Sequence, residues 1–381
     1  MNNEKVIPYR IKQARVSRGL SMLELSELAS VSKQAISQYE LGKISPSKPV
    51  LNRIADVLKY PGTFFYKQLP VNKSANSAVF FRSRKTAKTK EKDAAKEKIK
   101  IFREINDYLA AYVNFPKLNL PKLSYDEDGI NPLDNDTIEK YALALRKEWK
   151  LGNGPIDSLI NVVQKNGIMV SKIQLRLNKL DAFSIWFDGS PFIFLNSDKD
   201  TNARIRFDMA HELGHLIMHA EYFSDEDLNK NAIYKKLEDE ANRFAGAFLL
   251  PKETFSKDVF STSIDHFIQL KTKWKASISC MIIRCETLGI LSANQIKYLK
   301  DQMTVRAYWQ KEPLDKEIPA EKPFAHKQAI KLLLENNIVT ISQLINDTGC
   351  SAEELEHYCF LDKGTLSIKD DNKIISLKNI I

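Results

Sequence analysis

The chain has 381 residues, 43% hydrophobic and 28% charged, with a formal net charge of +9. That length exceeds what one hydrophobic core normally serves, so two or three domains are expected, and the composition excludes a largely disordered chain. The positive charge agrees with a polyanionic partner, although a solvated basic surface carries the same signature. No stretch reaches the roughly 18 apolar residues of a membrane span, and residues 1–10 lack the apolar run of a secretory signal. The four cysteines, Cys280, Cys285, Cys350 and Cys359, lack paired metal-site spacing and suit reduced thiols. A cytoplasmic protein without a membrane partner is the expectation.

From residue 7 to 66 the pattern predicts four short helices, 9–18, 21–29, 32–39 and 48–58. Gly19 and Gly42 supply the breaks, and Ser21 and Ser32 the N-caps. Leu23, Leu25, Leu28, Ala35, Ile36, Leu51, Ile54 and Leu58 recur at helical spacing and are expected to form one small core. Between Arg82 and Lys100 nine basic residues face three acidic ones, which reads as a linker running into a helix through Ile101, Ile105, Leu109 and Tyr112. Helices are predicted over 137–149 and 155–165, and strands over 167–172, 182–187 and 191–195, the last two joined by the turn Asp188-Gly189-Ser190. From about residue 202 onward the pattern is again mostly helical.

Six histidines occur in the chain, and His211, His215 and His219 fall within nine residues. Positions four apart share one helix face, so His211 and His215 can aim at one ion while Glu212 sits beside it, placed to act on a water molecule. A second helical pattern carries Glu238, Glu240 and Asn242. Glu238 can supply a third ligand with Asn242, one turn on, hydrogen-bonding a ligand histidine. Glu240 is the competing ligand, and His219 is expected to pack or hydrogen-bond. Three protein ligands leave an open fourth position, the layout of a catalytic Zn2+ site. A peptide substrate is expected to add as a strand along the 182–187 or 191–195 edge.

These residues resemble two known families. Residues 9–66 resemble the XRE/Cro-C1 helix-turn-helix family through Arg15, Gly19-Leu20-Ser21, Ala29, Ile36-Ser37, Glu40-Leu41-Gly42 and Pro46-Ser47. Met22 departs from that family's usual glutamine after the second-helix cap. Residues 137–251 resemble the ImmA/IrrE zinc metallopeptidases through 142–146, Gly154-Pro155, 181–184, 191–193, 204–207, the His211 to His215 motif and the 238–251 helix. Residues 274–279 and 289–291 resemble that family's C-terminal extension.

The resemblance implies a mainly α fold with a small β-sheet (α+β): an N-terminal all-α helix-turn-helix domain, a central gluzincin-like peptidase domain and a helical C-terminal region. The expected divisions are 1–70, 71–115 as basic linker and helix, 116–251, and 252–381 as a possible sensor or docking region. It also implies His211, His215 and Glu238 as zinc ligands, Glu212 as catalytic base, and cleavage of a helix-turn-helix repressor or antitoxin-like protein. In such a fold the third helix enters the major groove, which places Lys33, Gln34, Ser37 and Gln38 near base edges of double-stranded operator DNA and Lys43 near phosphate. One domain reads a half-site, so a homodimer is expected. The alternative is a non-proteolytic transcription factor or toxin–antitoxin component whose zinc domain senses a ligand or partner.

Overall fold

Residues 5–70, 80–81, 89–123, 133–173, 182–187, 189–196, 201–219 and 231–367 are described by the structure, a computed structural model. Local chemistry sets the first helices. Pro8 opens α1 (Pro8–Ser17) where its missing N–H costs nothing, and Gly19 leaves that helix at φ 67°. Before α2 (Met22–Leu28), the Ser21 hydroxyl accepts from Glu24 N–H at 3.2 Å while the Glu24 carboxylate accepts from Ser21 N–H at 2.6 Å, a reciprocal capping box. Ser32 caps α3 (Lys33–Glu40), and Gly42 at φ 70° turns the chain toward α4 (Lys48–Leu58). Arg15 fastens α1 to α3, donating from Nε and Nη2 to both carboxylate oxygens of Glu40 at 2.6 and 2.8 Å.

Ile11, Ala14, Leu25, Ile36, Leu51, Ile54 and Leu58 form the buried centre of this bundle. Leu23 and Leu28 do not belong to it, against expectation, being 51% and 59% exposed. The two-turn helix α2 points Leu25 and Ser26 inward, which leaves Leu23 and Leu28 on its outer side.

The chain divides into two compact units: one comprises Met1–Pro70, Asp93–Val113 and His326–Ile381, the other Val71–Lys92 and Asn114–Ala325. Segments of the first unit end at Pro70 and Val113, at or within two residues of the expected borders at 70 and 115, whereas 251 lies inside the second unit, which runs to Ala325. Strand β1 (Phe80–Phe81) belongs to the second unit, as does the start of α5 (Thr89–Ala110), which continues into the first from Asp93. Of the basic run, Arg82, Arg84, Lys85 and Lys88 lie outside the described residues. Lys100 donates to Tyr9 Oη and Glu97 at 2.7 Å each, so part of the run is tied into the fold.

The second unit continues with α6 (Asn135–Glu148), α7 (Leu159–Lys165), β2 (Met169–Ile173), β3 (Ala182–Phe187), β4 (Ser190–Asn196), α8 (Asn202–Met218), α9 (Asn231–Leu249), α10 (Lys252–Asp258), α11 (Ile264–Trp274), α12 (Ile278–Leu288) and α13 (Ala293–Val305). The sheet order is β1-β3-β4-β2, with β2 parallel to β4 and the other pairs antiparallel. Because β4 is bonded on both sides, the 191–195 run offers no edge to a substrate. The 182–187 run is also bonded on both sides, to β4 along its length and to β1 at Phe183 and Ser184, so neither run expected to present an edge is an outer strand of this sheet. In the hairpin turn, Asp188 lies outside the described residues and Gly189 takes φ 77°.

Ile138, Leu145, Ile193, Leu213, Phe244 and Phe248 anchor the core between α6, the sheet, α8 and α9. Arg146, 1% exposed, holds three backbone carbonyls around that core, those of Gly152, Gly154 and Phe248. Gly214 has a packing reason: a Cβ there would lie 3.3 Å from Ala241 Cα and from the Phe244 ring, so its absence lets α8 and α9 close on each other.

Three last helices, α14 (Ala325–Glu335), α15 (Ile341–Thr348) and α16 (Ala352–Cys359), return to the first unit. Their attachment is specific. Arg10 is fully buried and forks onto Glu104 of α5 at 2.7 and 2.9 Å, Lys67 donates to Thr348 O at 2.9 Å, and Arg18 pairs with Glu354 at 2.8 Å. Gly349, at φ 69°, passes so close to Phe64 that a Cβ would lie 3.3 Å from its Cα. All four cysteines are free and buried. Among the described residues no helix is long and apolar enough to cross a membrane.

Candidate metal centre

Helix α8 carries His211 and His215 on one face, and α9 crosses it at Gly214, bringing Glu238 opposite both imidazoles. The His211 and His215 Nε2 atoms are 3.0 Å apart; Glu238 Oε2 is 3.6 Å from the first and Glu238 Oε1 3.4 Å from the second. A tetrahedral zinc with bonds of about 2.0–2.1 Å sets ligand-to-ligand edges of roughly 3.3–3.4 Å. The three donors therefore already stand near the spacing that one such ion requires. Among the described residues this is the one group of three or more metal-type side chains that converges.

The neighbours of the two imidazoles fix which nitrogen faces the centre. His211 Nδ1 lies 2.9 Å from Asn242 Oδ1, an acceptor, so Nδ1 carries the proton and Nε2 keeps its lone pair. His215 is held by a longer relay. Its Nδ1 is 2.9 Å from His219 Nδ1, and His219 Nε2 is 3.0 Å from Glu240 Oε2. Burial pushes the His219 pKa down to about 4 against the opposing pull of Glu240, so the ring is neutral near pH 7. Its Nε2 must then donate to the carboxylate and its Nδ1 accept from His215, so that the His215 proton sits on Nδ1 and its Nε2 lone pair faces His211 and Glu238. Glu240 also accepts from Leu133 N–H at 3.1 Å. The geometry thus separates the two glutamates: Glu238 faces the imidazole pair, and Glu240 backs His219.

Glu212 lies beside this cluster and is 1% exposed. Burial raises its carboxyl to about 7, with His215 and a hydrogen bond from Ser184 pulling it back down. That bond, Ser184 Oγ donating to Glu212 Oε2 at 2.6 Å, joins β3 to α8 and fixes the carboxylate's direction. The serine was not among the expected site residues. Nothing in a strand pattern distinguishes it, because its role appears only once β3 packs on α8. A bound cation would favour the ionised form of Glu212.

The base of α8 is held by Arg206, 1% exposed, which donates to Ile156 O at 2.6 Å and pairs with Glu321. Glu321 in turn accepts from Ile160 N–H at 2.7 Å. A groove of about 680 Å³ bordered by Phe207, Asp208, Asn242, Arg243 and Ile283 shares Asn242 with the cluster.

In the first unit, Lys33 and Gln34 are exposed at the start of α3, Ser37 and Gln38 are half-buried one turn on, and Lys43 is exposed just beyond the helix. This is the face expected to meet DNA.

Fold and site together define a helix-turn-helix unit in one chain with a metallopeptidase-like domain. Comparison with known families agrees: residues 11–65 match the family described as helix-turn-helix, and residues 163–286 match the family described as IrrE N-terminal-like domain. The chain thus joins an XRE-type helix-turn-helix domain to an IrrE/ImmA-like domain, the latter match running through α12, past the expected end at 251. No curated protein matches the chain.

Proposed function

We propose that this protein is a DNA-bound regulator that hydrolyses a peptide bond in a repressor or antitoxin-like protein, with zinc held by His211, His215 and Glu238. The observation that carries the reading is the triangle of donors with edges of 3.0, 3.4 and 3.6 Å beside a buried glutamate. Zinc held by these three residues would supply a Lewis acid able to polarise a peptide carbonyl and to acidify water. Glu212 takes the proton from the attacking water and returns it to the departing amide nitrogen, while Ser184 keeps its carboxylate aimed. Asn242 holds the His211 ring; His219 and Glu240 hold the His215 ring.

On the DNA side, Gln34 and Gln38, one turn apart on α3, suit bidentate pairing with adenine, and Lys33, Ser37 and Lys43 add base-edge and phosphate contacts. Two copies on a two-fold site would read two half-sites. Binding at an operator raises the effective concentration of the peptidase toward a repressor bound nearby. The test is a search for new N-termini in cells expressing the wild-type chain or Glu212→Gln. Cleavage of a helix-turn-helix protein that appears only with wild type is expected. Identical N-terminal profiles for the two chains would overturn the reading in favour of a non-proteolytic regulator.

A further inference from the structure

We infer that the groove bordering Asn242 binds a small organic acid with one negative charge and an apolar body, and that its occupancy tightens the hold of the metal centre on zinc. The binding stands on the groove alone, whereas the coupling rests on the metal reading of the cluster. The groove, about 680 Å³ and walled by α8, α9 and α12, is of a size that suits a compact small molecule. None of His211, Glu212, His215 and Glu238 lines it, so it is distinct from the space between the metal-facing donors. Its cationic donors are under-used. Arg243 makes no hydrogen bond among the described residues, and its Nε is buried, so water does not satisfy it either. Its Nη2 stands 3.4 Å from Glu139, whose carboxylate is already forked by Arg284 at 2.6 and 2.7 Å. Arg204 donates to the carbonyls of Trp309 and Gln310 and meets no carboxylate among the described residues. An acid group in the groove supplies the missing acceptor. Asp208 and Asp239 also stand in the lining, one helical turn from Arg204 and Arg243, and they oppose a second negative charge, which favours a monocarboxylate over a phosphate dianion. Phe207 and the half-exposed Ile283 offer the wall for an apolar body.

Asn242 connects this groove to the metal centre. Its Oδ1 accepts from His211 Nδ1 at 2.9 Å, and its amide N–H groups have no partner among the described residues. An acid oxygen that accepts from that amide polarises it, which makes Oδ1 a better acceptor and His211 Nε2 a more basic ligand. Acid and zinc then share one coupling free energy, so each raises the affinity for the other by the same factor.

The test uses the full chain and three probes of similar size: phenylacetate, its neutral counterpart phenethyl alcohol, and the dianion phenyl phosphate. Gly246→Leu fills the groove from α9, where a Cβ meets only Arg284 Cδ at an ordinary 3.6 Å and leucine suits the helix better than glycine. Arg243→Met removes the under-used guanidinium while Arg284 still holds Glu139. Binding is read by ligand-observed NMR on zinc-free chains, and zinc affinity by chelator competition with and without phenylacetate; unchanged circular dichroism certifies that the variants fold. Phenylacetate is expected to bind wild type with a dissociation constant on the order of 1 mM, and either variant at least about tenfold more weakly. The alcohol and the phosphate should bind wild type several-fold more weakly than phenylacetate does. Zinc affinity should rise about three- to tenfold with phenylacetate in wild type and stay level in Gly246→Leu. No binding, equal binding to wild type and Gly246→Leu, or phenyl phosphate held as tightly as the acid would overturn the inference. Zinc affinity that ignores phenylacetate in wild type would overturn the coupling. Because the binding arm needs neither zinc nor hydrolysis, failure of the metal reading is seen separately, as a wild-type chain that takes up no zinc yet binds phenylacetate in a Gly246-dependent way.

Discussion

Both compact units bury cation–carboxylate pairs, Arg206 with Glu321 and Lys271 with Glu312 among those of the second, and the second unit adds a buried arrangement of another kind. In the first, Arg10 meets Glu104 at 2.7 Å and Arg15 meets Glu40 at 2.6 Å, cation against carboxylate at hydrogen-bond distance. In the second, two imidazole nitrogens and a carboxylate form a triangle with edges of 3.0 to 3.6 Å, and a fully buried carboxyl raised to about 7 stands beside it. The first arrangement is satisfied by its own members and holds elements together. The second gathers electron-pair donors around one point, as a bound cation would require. Burial alone therefore does not mark a functional site; the sign and spacing of what converges does.

Glu212→Gln should lower hydrolysis by at least 10²- to 10⁴-fold, the range for loss of general acid–base catalysis, while leaving bound zinc unchanged. Parallel loss of zinc, read by elemental analysis, would blur the distinction between base and ligand. On the other side of the comparison, Arg10→Met should destabilise the first unit by about 3–5 kcal/mol, because it leaves Glu104 buried without its fork. Denaturant melting should show that loss with zinc retained.

Acid sharpens the contrast within the first unit. Burial holds the His326 pKa down to about 4, so the ring folds neutral. The unfolded chain, with an ordinary histidine near 6.5, binds more protons between those values, so stability falls as pH drops from about 6.5 toward 4, by on the order of 3 kcal/mol. A pH series of melting curves in which His326→Gln flattens this slope checks the sign. Gly214→Ala should cost about 1–2 kcal/mol, the overpacking against Ala241 outweighing a helix-propensity gain of about 1 kcal/mol. An unchanged or raised melting temperature would mean that α8 and α9 are not held as closely as described.

Much of this was legible in the sequence, for identifiable reasons. Ser21, Ser32, Gly19 and Gly42 mark helix ends by local chemistry, and the first four helices lie within two residues of expectation. The spacing of His211, His215, Glu238 and Asn242 encodes helix faces, so their convergence could be anticipated. Ser184 and the His219–Glu240 pairing needed the packing of separate elements, which no spacing displays. The return of α14 to α16 to the first unit depends on contacts such as Lys67 with Thr348, 281 residues apart. Leu23 and Leu28 misled because a seven-residue helix is too short for periodicity to fix its inner face.

The most direct test of the central claim is zinc per chain in the purified protein, measured by elemental analysis for wild type, His211→Ala, Glu238→Ala and Glu240→Ala. One zinc in wild type is predicted, lost in His211→Ala and Glu238→Ala and kept in Glu240→Ala with affinity weakened about 10- to 100-fold. Zinc that survives Glu238→Ala but not Glu240→Ala, or no zinc in the reconstituted wild type, would contradict the account.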